Sequence, residues 1–180
     1  MKHLILIIAM LFSVTAFAQQ TLDNEFTQVK VMKVSGKSTT KQGHIIFDGK
    51  DHLSMIYSEP EGEYFIIEGN MVKMNMDGKK SDIDTNSDNE GNNKLKKMVA
   101  LQRATLLNCL SGNWEQVAID HNAETSITEK DGMKTVSLVV NGKPKGGYKS
   151  VELTYRLSDG MMTKMVMEEI VGTINTYEVK

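Results

Sequence analysis

The sequence predicts a mainly β protein with few helices, built as one large, curved antiparallel sheet or unclosed β-barrel under a helical lid. Short segments rich in β-branched, aromatic and methionine side chains alternate with turn residues along most of the chain. One stretch, 94–110, instead repeats its apolar residues at spacings of three and four. A single helix among about eleven strands disfavours a parallel α/β fold, which needs a helix after nearly every strand.

The N-terminal residues 1–18 have the pattern of a secretory signal peptide. Lys2 precedes the apolar run 4–12, and Ala16-Phe17-Ala18 supplies the small-x-small pattern of a cleavage site. The run is too short to cross a hydrocarbon core of about 30 Å. We therefore expect cleavage after Ala18, export to the periplasm and a single mature domain of residues 19–180.

Charge and cysteine usage exclude some classes of protein. Lys and Arg number 21 against 23 Asp and Glu, with a net charge of −2 and no block of like charge. Such a balance disfavours nucleic acid as a partner. Cys109 is the sole cysteine, so no internal disulfide can form, and its apolar neighbours indicate a small buried side chain rather than a reactive thiol.

The first half of the mature chain reads as an antiparallel meander. Asp48-Gly49, Glu68-Gly69-Asn70 and Asp77-Gly78 offer residues that tolerate the positive φ of tight reversals. Apolar residues recur at spacing two in Leu53-x-Met55-x-Tyr57, which gives the sheet one apolar face. The predicted strands are Phe26–Val34, His44–Phe47, Leu53–Tyr57, Tyr64–Glu68 and Met71–Met76.

The middle of the chain predicts a loop followed by a helix. Residues 80–93 are almost all Ser, Asp, Asn, Gly, Lys and Glu, so we expect a mobile surface loop there. The helix should cover 94–110 and end at Gly112. Its apolar stripe needs an apolar partner, and the sheet face is the one available.

Strands resume after Trp114. Asp131-Gly132, Asn141-Gly142 and Asp159-Gly160 mark their reversals. The predicted strands are Val117–Ile119, Ser126–Thr128, Thr135–Val140, Val151–Arg156, Met162–Glu169 and Thr173–Val179.

The motifs of catalysis and cofactor binding are missing from the sequence. No Gly-x-Ser-x-Gly elbow occurs, and Gly36-Lys37-Ser38 lacks the strand-to-helix context of a P-loop. His44, His52 and His121 stand at no ligand spacing to one another or to the lone cysteine. We accordingly predict no catalytic residue, no cofactor and no metal site.

Methionine is unusually frequent. Of 13 methionines, all but Met1 and Met10 lie in the mature chain. Flexible thioether side chains fill irregular cores, and they also line surfaces that bind hydrophobic guests of varied shape. Both readings stay open from composition alone. A curved sheet capped by one helix favours the second, because its inner face holds more apolar area than one helix can cover.

Two groups of segments resemble a known family. In the first half they are Phe26-Thr27-Gln28, Gly43-His44-Ile45-Ile46, Tyr57-Ser58-Glu59-Pro60 and Tyr64 to Asn70. In the second half they are Ser111-Gly112-Asn113-Trp114, Val151 to Tyr155, Asp159-Gly160 and Met165 to Glu169. In this order they are similar to the periplasmic lipoprotein-carrier (LolA-like) family, over residues 26–177.

The resemblance implies an unclosed barrel whose cavity shields the acyl chains of lipoproteins between an inner-membrane release complex and an outer-membrane receptor. Only residues 19–25 precede the Phe-Thr-Gln strand, so the family's first lid helix is expected to be absent or reduced. Asp48, Gly49 and Lys50 stand where some members carry an arginine that governs transfer, and the chain stops at Lys180, before the family's usual C-terminal extension. A divergent carrier of another lipid or hydrophobic product is therefore an equal reading.

We expect a monomeric, non-enzymatic periplasmic carrier of acyl chains or lipoproteins. The alternative is a β-rich envelope adaptor that binds through sheet edges or a surface patch. Phe65 and Ile67 are chosen over Tyr64 and Ile66, although a slip of one residue would exchange the two pairs. The expected cavity residues are Met55, Tyr57, Phe65, Ile67, Met74 and Met76 on the sheet, and Leu95, Met98, Leu106 and Leu110 on the helix.

Overall fold

A computed structural model describes residues 21–86, 93–144 and 147–180, so the predicted signal peptide lies outside the described residues. Within these ranges the chain forms strands joined mostly by tight turns, with two helices in the middle. No helix in the described ranges is long and apolar enough to cross a membrane. The elements are β1 (Leu22–Met32), β2 (Lys37–Phe47), β3 (His52–Glu59), β4 (Tyr64–Glu68), β5 (Met71–Met76), β6 (Lys79–Asp84), α1 (Asn93–Leu110), α2 (Trp114–His121), β7 (Ala123–Lys130), β8 (Met133–Val140), β9 (Tyr148–Arg156), β10 (Met162–Glu169) and β11 (Thr173–Val179).

All of these strands form one antiparallel sheet in the order β6-β5-β4-β3-β2-β1-β11-β10-β9-β8-β7. Two meanders, β1 to β6 and β7 to β11, are joined where β1 pairs with β11, from Phe26 opposite Val179 to Met32 opposite Thr173. β6 and β7 are the two ends of this order, so the sheet is unclosed. The predicted fold class, a mainly β protein with an unclosed antiparallel sheet and few helices, is confirmed.

β6 corrects the loop predicted for 80–93. Its residues Lys79–Asp84 pair with β5, from Met76 opposite Lys79 to Met71 opposite Asp84. The turn between them has positive φ at Asp77 (51°) and Gly78 (75°), which suits the twist of a two-residue hairpin. An edge strand tolerates polar side chains. Backbone pairing with β5 therefore gives β6 its strand conformation despite its polar composition. Residues 87–92 of the predicted loop lie outside the described residues.

α2 corrects the strand predicted at 117–119. In a strand, Val117 and Ile119 would point to the same face. In the structure Val117 is 1% exposed and Ile119 is 72% exposed, as expected for a helix. Asn122 adopts the left-handed conformation (φ 52°) and ends the helix, because its N–H returns to the carbonyl of Ile119. A short apolar run does not by itself distinguish helix from strand.

α1 lies across the inner face of the sheet, the face that holds the core. Arg103 Nε donates to the carbonyl of Gly69, in the β4–β5 turn, at 2.6 Å. The Tyr155 hydroxyl of β9 donates to the carbonyl of Cys109 at 2.8 Å. Cys109 is fully buried, as predicted, and burial raises the pKa of its thiol to about 12, so it stays protonated and unreactive.

Gly43 lets neighbouring atoms lie close to the backbone of β2 in the centre of the sheet. It lies at a shift in the β2–β3 register, between Gln42 opposite Glu59 and Gly43 opposite Tyr57. A Cβ there would come 2.9 Å from Tyr57 Cα and would also clash with the backbone oxygen of Ile56. The space lets Phe26 meet Tyr57 edge to face, with ring centroids 5.2 Å apart.

Two histidines respond to pH in opposite directions. His121 is buried, its Nε2 lies 2.7 Å from Thr105 Oγ1, and its Nδ1 has no partner among the described residues. Since Thr105 Oγ1 already donates to the carbonyl of Leu101, Nε2 must carry the His121 proton. Burial lowers the pKa of His121. On the outer face, hydrogen bonds to Asp23 and Glu25 raise the pKa of His44.

We predict that Gly43→Ala lowers the free energy of unfolding by about 1–3 kcal/mol, because the new methyl group meets backbone atoms that cannot move aside. Chemical denaturation monitored by circular dichroism measures the change. The adjacent exposed residue provides the control, and Gln42→Ala should stay within about 0.5 kcal/mol of the parent protein. Equal stability of the Gly43→Ala variant would contradict the close approach.

We predict that the histidine contributions give maximal stability near the ordinary histidine pKa of 6.5. The raised pKa of His44 stabilises the fold fully below 6.5, and this contribution is lost as the pH rises through the folded-state pKa. The lowered pKa of His121 stabilises the fold above 6.5, and this contribution is lost as the pH falls below that value. Denaturation midpoints between pH 5 and 8 measure both effects.

Replacing each histidine singly separates the effects above and below pH 6.5. His44→Gln should flatten the profile above pH 6.5 only, and His121→Gln should flatten it below pH 6.5 only. The comparison uses slopes, so a constant loss of stability in either variant does not affect it. A parent-like profile in both variants would show that neither histidine carries the dependence.

Candidate ligand cavity

A cavity of about 250 Å³ lies between the inner face of the sheet and α1. It opens to solvent and receives side chains from both meanders and from the helix. Its lining residues are Gln28, Lys30, Lys41, Met55, Tyr57, Phe65, Met76, Asp77, Gln102, Leu106, Tyr148, Met167, Glu169, Asn175 and Tyr177.

The cavity exists because the sheet curls. Phe65 on β4 and Tyr148 on β9 both line it, although these strands are six positions apart in the sheet. At about 4.8 Å per strand, they would lie about 29 Å apart in a flat sheet. A space this small can touch both strands only when the sheet bends around it. The curvature predicted from the sequence is thus a property of the structure.

One side of the cavity is apolar. Met55 of β3 stands opposite Phe65 of β4 in the ladder, and Met76 extends this wall at the end of β5. Leu106 of α1 completes it, whereas Met167 of β10 stands opposite Asn175 of β11, on the far side of the polar residues of β1 and β11. Two of the four side chains of this wall, Met55 and Met76, are methionines, whose flexible thioethers adapt to the shape of a guest.

The other side is a polar floor on β1 and β11, formed by Gln28, Asn175 and Tyr177 with two neighbours. Gln28 Oε1 accepts from the hydroxyl of Tyr57 at 2.8 Å. Gln28 Nε2 donates to Asn175 Oδ1 at 3.3 Å and to the Tyr177 oxygen at 3.2 Å. Asn175 Nδ2 donates to Glu169 Oε1 at 2.8 Å. These bonds account for the buried amides, since Gln28 and Asn175 are only 6% and 8% exposed.

A lysine with two carboxylates forms the rim of the cavity. Lys41 Nζ lies 2.5 Å from Glu63 and 3.4 Å from Asp77, and 5.7 Å from the ring centroid of Tyr57. Glu63 also accepts the backbone N–H of Asp77 at 3.0 Å. The side chains of Lys41 and Glu63 are 13% and 10% exposed, so this ion pair is largely removed from water. Burial raises the pKa of Tyr57, which therefore remains a neutral donor.

Beneath the C-terminal part of α1 the interior is packed. A second space there has a volume of only about 10 Å³, room for about one water. It is apolar, with Phe26, Leu110 and Val179 among its lining. The cavity of about 250 Å³ lies instead at the end of the sheet that carries Lys30, Met76 and Asp77.

Of the ten residues predicted to form the cavity, the structure brings five together there: Met55, Tyr57, Phe65, Met76 and Leu106. The choice of Phe65 and Ile67 as the inward pair in β4 matches the structure, where Ile67 is fully buried.

The other five predicted residues lie elsewhere. Ile67 and Leu110 are core residues, and Met74 packs partly buried against that core. Leu95 and Met98 are 41% and 39% exposed, because α1 meets the core only from its second turn, at Val99. Ligand contact by any of the ten stays a prediction.

Sequence reasoning missed the polar floor. Gln28, Asn175 and Tyr177 occupy inward positions of their strands, which a search for apolar stripes passes over. A usable signal is present in β11, where Asn175 and Tyr177 stand at spacing two from the buried Val179. The pairing of β11 with β1, which brings these side chains to Gln28, is not visible in the sequence.

Among the described residues, no group of three or more His, Cys, Asp or Glu side chains is arranged to hold a metal ion.

The resemblance found in the sequence implied an unclosed sheet covered by a helix, and the strand order shows an unclosed sheet with α1 on its inner face. No protein-family model and no curated protein matches the chain. Among solved structures, a LolA superfamily protein from Nitrosomonas europaea is 8% identical, with 91% of this chain and 86% of that chain covered and a TM-score of 0.39.

Two further solved structures are similar at the same level. A crystal structure described as an outer membrane lipoprotein-sorting protein domain, from Vibrio parahaemolyticus, is 8% identical over 91% of this chain and 84% of that one, with a TM-score of 0.37. The MucA/MucB complex of Pseudomonas aeruginosa is 13% identical over 89% of this chain and 50% of that one, with a TM-score of 0.38.

We predict that Lys41→Met lowers the free energy of unfolding by about 1–3 kcal/mol, because it leaves the Glu63 carboxylate largely buried without its cation. Adding Glu63→Gln should recover part of the loss, since a neutral amide needs no counter-charge. Denaturation of the two single variants and the double variant gives the coupling free energy. Additive effects would show that the pair contributes no mutual stabilisation.

Proposed function

We propose that the protein is a non-enzymatic carrier that takes the acyl chain of a lipid or lipoprotein into the cavity between its curved sheet and α1. The observation that carries this proposal is the cavity itself, an open space of about 250 Å³ with one apolar wall. A protein that only needed a core would fill that space with its own side chains.

The driving force is the removal of hydrocarbon from water. Each buried CH₂ contributes about 0.8 kcal/mol, so a segment of a few methylenes already gives useful affinity. The methionines at 55 and 76 allow chains of different shape to be held by one wall. No covalent step is needed for uptake or release.

The volume of the cavity limits the length of acyl chain that fits while α1 stays in its present position. Its volume is just below the about 300–1,000 Å³ of typical small-ligand pockets, so it takes part of a long acyl chain. The apolar void lies next to it, and both spaces are lined by Met55, Leu106 and Tyr177. A displacement of α1 at Leu106 would join them, which makes this helix the element that a full-length chain must move.

The setting proposed for this carrier is the periplasm, with transfer toward the outer membrane. The signal-peptide pattern of residues 1–18 supports export. Release requires a partner that binds the chain more tightly or that favours a displaced α1, because a filled apolar pocket does not empty spontaneously. An inner-membrane release complex and an outer-membrane receptor are the proposed partners.

We predict that the protein binds a dansyl-labelled palmitoyl probe and that Gln102→Trp weakens binding by about tenfold or more. Gln102 lines the cavity from α1, so an indole there takes the place of several methylenes of the guest. Fluorescence titration measures the dissociation constant, and circular dichroism verifies the fold of each variant.

The matched control lies on the same helix. Leu95 is exposed, is absent from the cavity lining and lies about 10 Å from position 102 along the helix axis. Leu95→Trp should therefore bind the probe like the parent protein. Failure of the parent protein to bind, or equal binding by both variants, would overturn the carrier function. Mass spectrometry of organic extracts from protein purified from its native periplasm then identifies the natural cargo.

A further inference from the structure

The cavity is divided between two chemistries. Met55, Phe65 and Met76 line it from β3 to β5, whereas Gln28 and Tyr177 line it from β1 and β11. In the ladder Gln28 stands directly opposite Tyr177, so the polar groups form a continuous row across the middle of the sheet. A pure hydrocarbon would leave that row facing apolar atoms, which disfavours binding.

The hydroxyl group of Tyr148 has no hydrogen-bond partner within residues 21–86, 93–144 and 147–180. Among the described residues no hydrogen bond is made by this hydroxyl, and the one sealed polar side-chain atom without a partner is His121 Nδ1. The Tyr148 oxygen therefore reaches open space, and the side chain lines the cavity. Burial raises its pKa, so the group is a neutral donor at physiological pH.

Tyr177 offers a second donor beside the polar floor. Its oxygen accepts from Gln28 Nε2 at 3.2 Å, and within the described residues its own proton has no acceptor. Burial raises the pKa of Tyr177 to about 12, so this proton is retained. The hydroxyls of Tyr148 and Tyr177 thus both remain available to an acceptor oxygen in the cavity.

The charges around these hydroxyls favour a neutral acceptor. Glu169 is held in the floor by Asn175 Nδ2 at 2.8 Å, and its carboxylate disfavours a second anion nearby. Lys41 is already paired with Glu63 and Asp77, which leaves Lys30 as the other cation of the lining. One lysine and one carboxylate around two neutral donors provide no net positive site for a free carboxylate or a phosphate.

We propose that the polar floor holds the ester or amide carbonyl at the head of an acyl chain, with the hydroxyls of Tyr148 and Tyr177 as donors and the chain along the Met55 wall. This inference rests on the proposed carrier function and names the chemical class of its ligand, a neutral acyl ester or amide. Acylglycerols and the lipidated cysteine of a lipoprotein both contain this group.

Tyr148→Phe tests the assignment, because it removes one hydroxyl and breaks no hydrogen bond in the part of the chain that the structure describes. The ligands are monopalmitoylglycerol, palmitate and hexadecane, each measured by displacement of the dansyl-labelled probe. The parent protein should bind the ester about ten times more tightly than the alkane. Tyr148→Phe should reduce that preference by about three- to tenfold and leave alkane binding unchanged.

Tyr64→Phe is the matched control. Tyr64 is the β4 neighbour of Phe65, so it points to the opposite face of the sheet, and it does not line the cavity. It should preserve the preference for the ester. Tyr177→Phe provides an independent second variant, with the same expected loss.

The outcomes separate this inference from the carrier function. Equal binding of ester and alkane by the parent protein, or tighter binding of palmitate than of the ester, would overturn the carbonyl site while the carrier function stands. A preference that survives both cavity variants would also overturn it. Binding of none of the ligands or the probe would overturn both proposals.

Two further ligands distinguish a free lipid from a lipoprotein as the source of the acyl ester. A diacylglycerol and a synthetic peptide that begins with S-diacylglyceryl-cysteine share the same acyl ester. Either one binding with the Tyr148-dependent preference supports the inference, and the tighter of the two identifies free lipid or lipoprotein as the source. Loss of the preference with both would contradict it.

Discussion

The pairing of β1 with β11 is the interaction on which the rest of the structure depends. It joins two meanders that are otherwise separate sheets, through partners from Phe26 opposite Val179 to Met32 opposite Thr173. The two strands lie at opposite ends of the described chain, so their association closes a very long loop. Loop-closure entropy grows only slowly with length, which allows a ladder and a shared core to offset it.

The same pairing places the polar floor. Gln28 on β1 bonds to Asn175 and Tyr177 on β11, so the side-chain network crosses the junction that the backbone ladder makes. A buried polar network is favourable only when its members find partners, and here the amides do. An apolar set at these positions would have served packing alone.

Tyr57 marks the boundary between the packed and the open part of the interior. Its ring meets Phe26 edge to face over Gly43, and its hydroxyl donates to Gln28. On one side the core closes to a void of about 10 Å³ around Leu110, and on the other a space of about 250 Å³ remains. Without a side chain at position 43 the two rings can approach, and this contact separates the two regions.

The sequence by itself determined the class of fold, most strand positions and half of the predicted cavity residues. Spacing-two patterns and positive-φ turns such as Asp131-Gly132 are local, so they can be read from neighbours in the chain. Prediction from the sequence failed at Lys79–Asp84, where pairing with β5 decides the conformation. It also failed at 117–119, where a short apolar run fits helix and strand alike.

Only the tertiary structure decided where the open space lies and which polar groups face it. Leu95 belongs to the apolar stripe of α1, yet it is exposed, because α1 contacts the packed core only from Val99 onward. Gln28 and Tyr177 have no shared pattern in the chain, and they meet because β1 and β11 pair in one register. Local periodicity sets which face a side chain takes, whereas long-range pairing and curvature set what that face encloses.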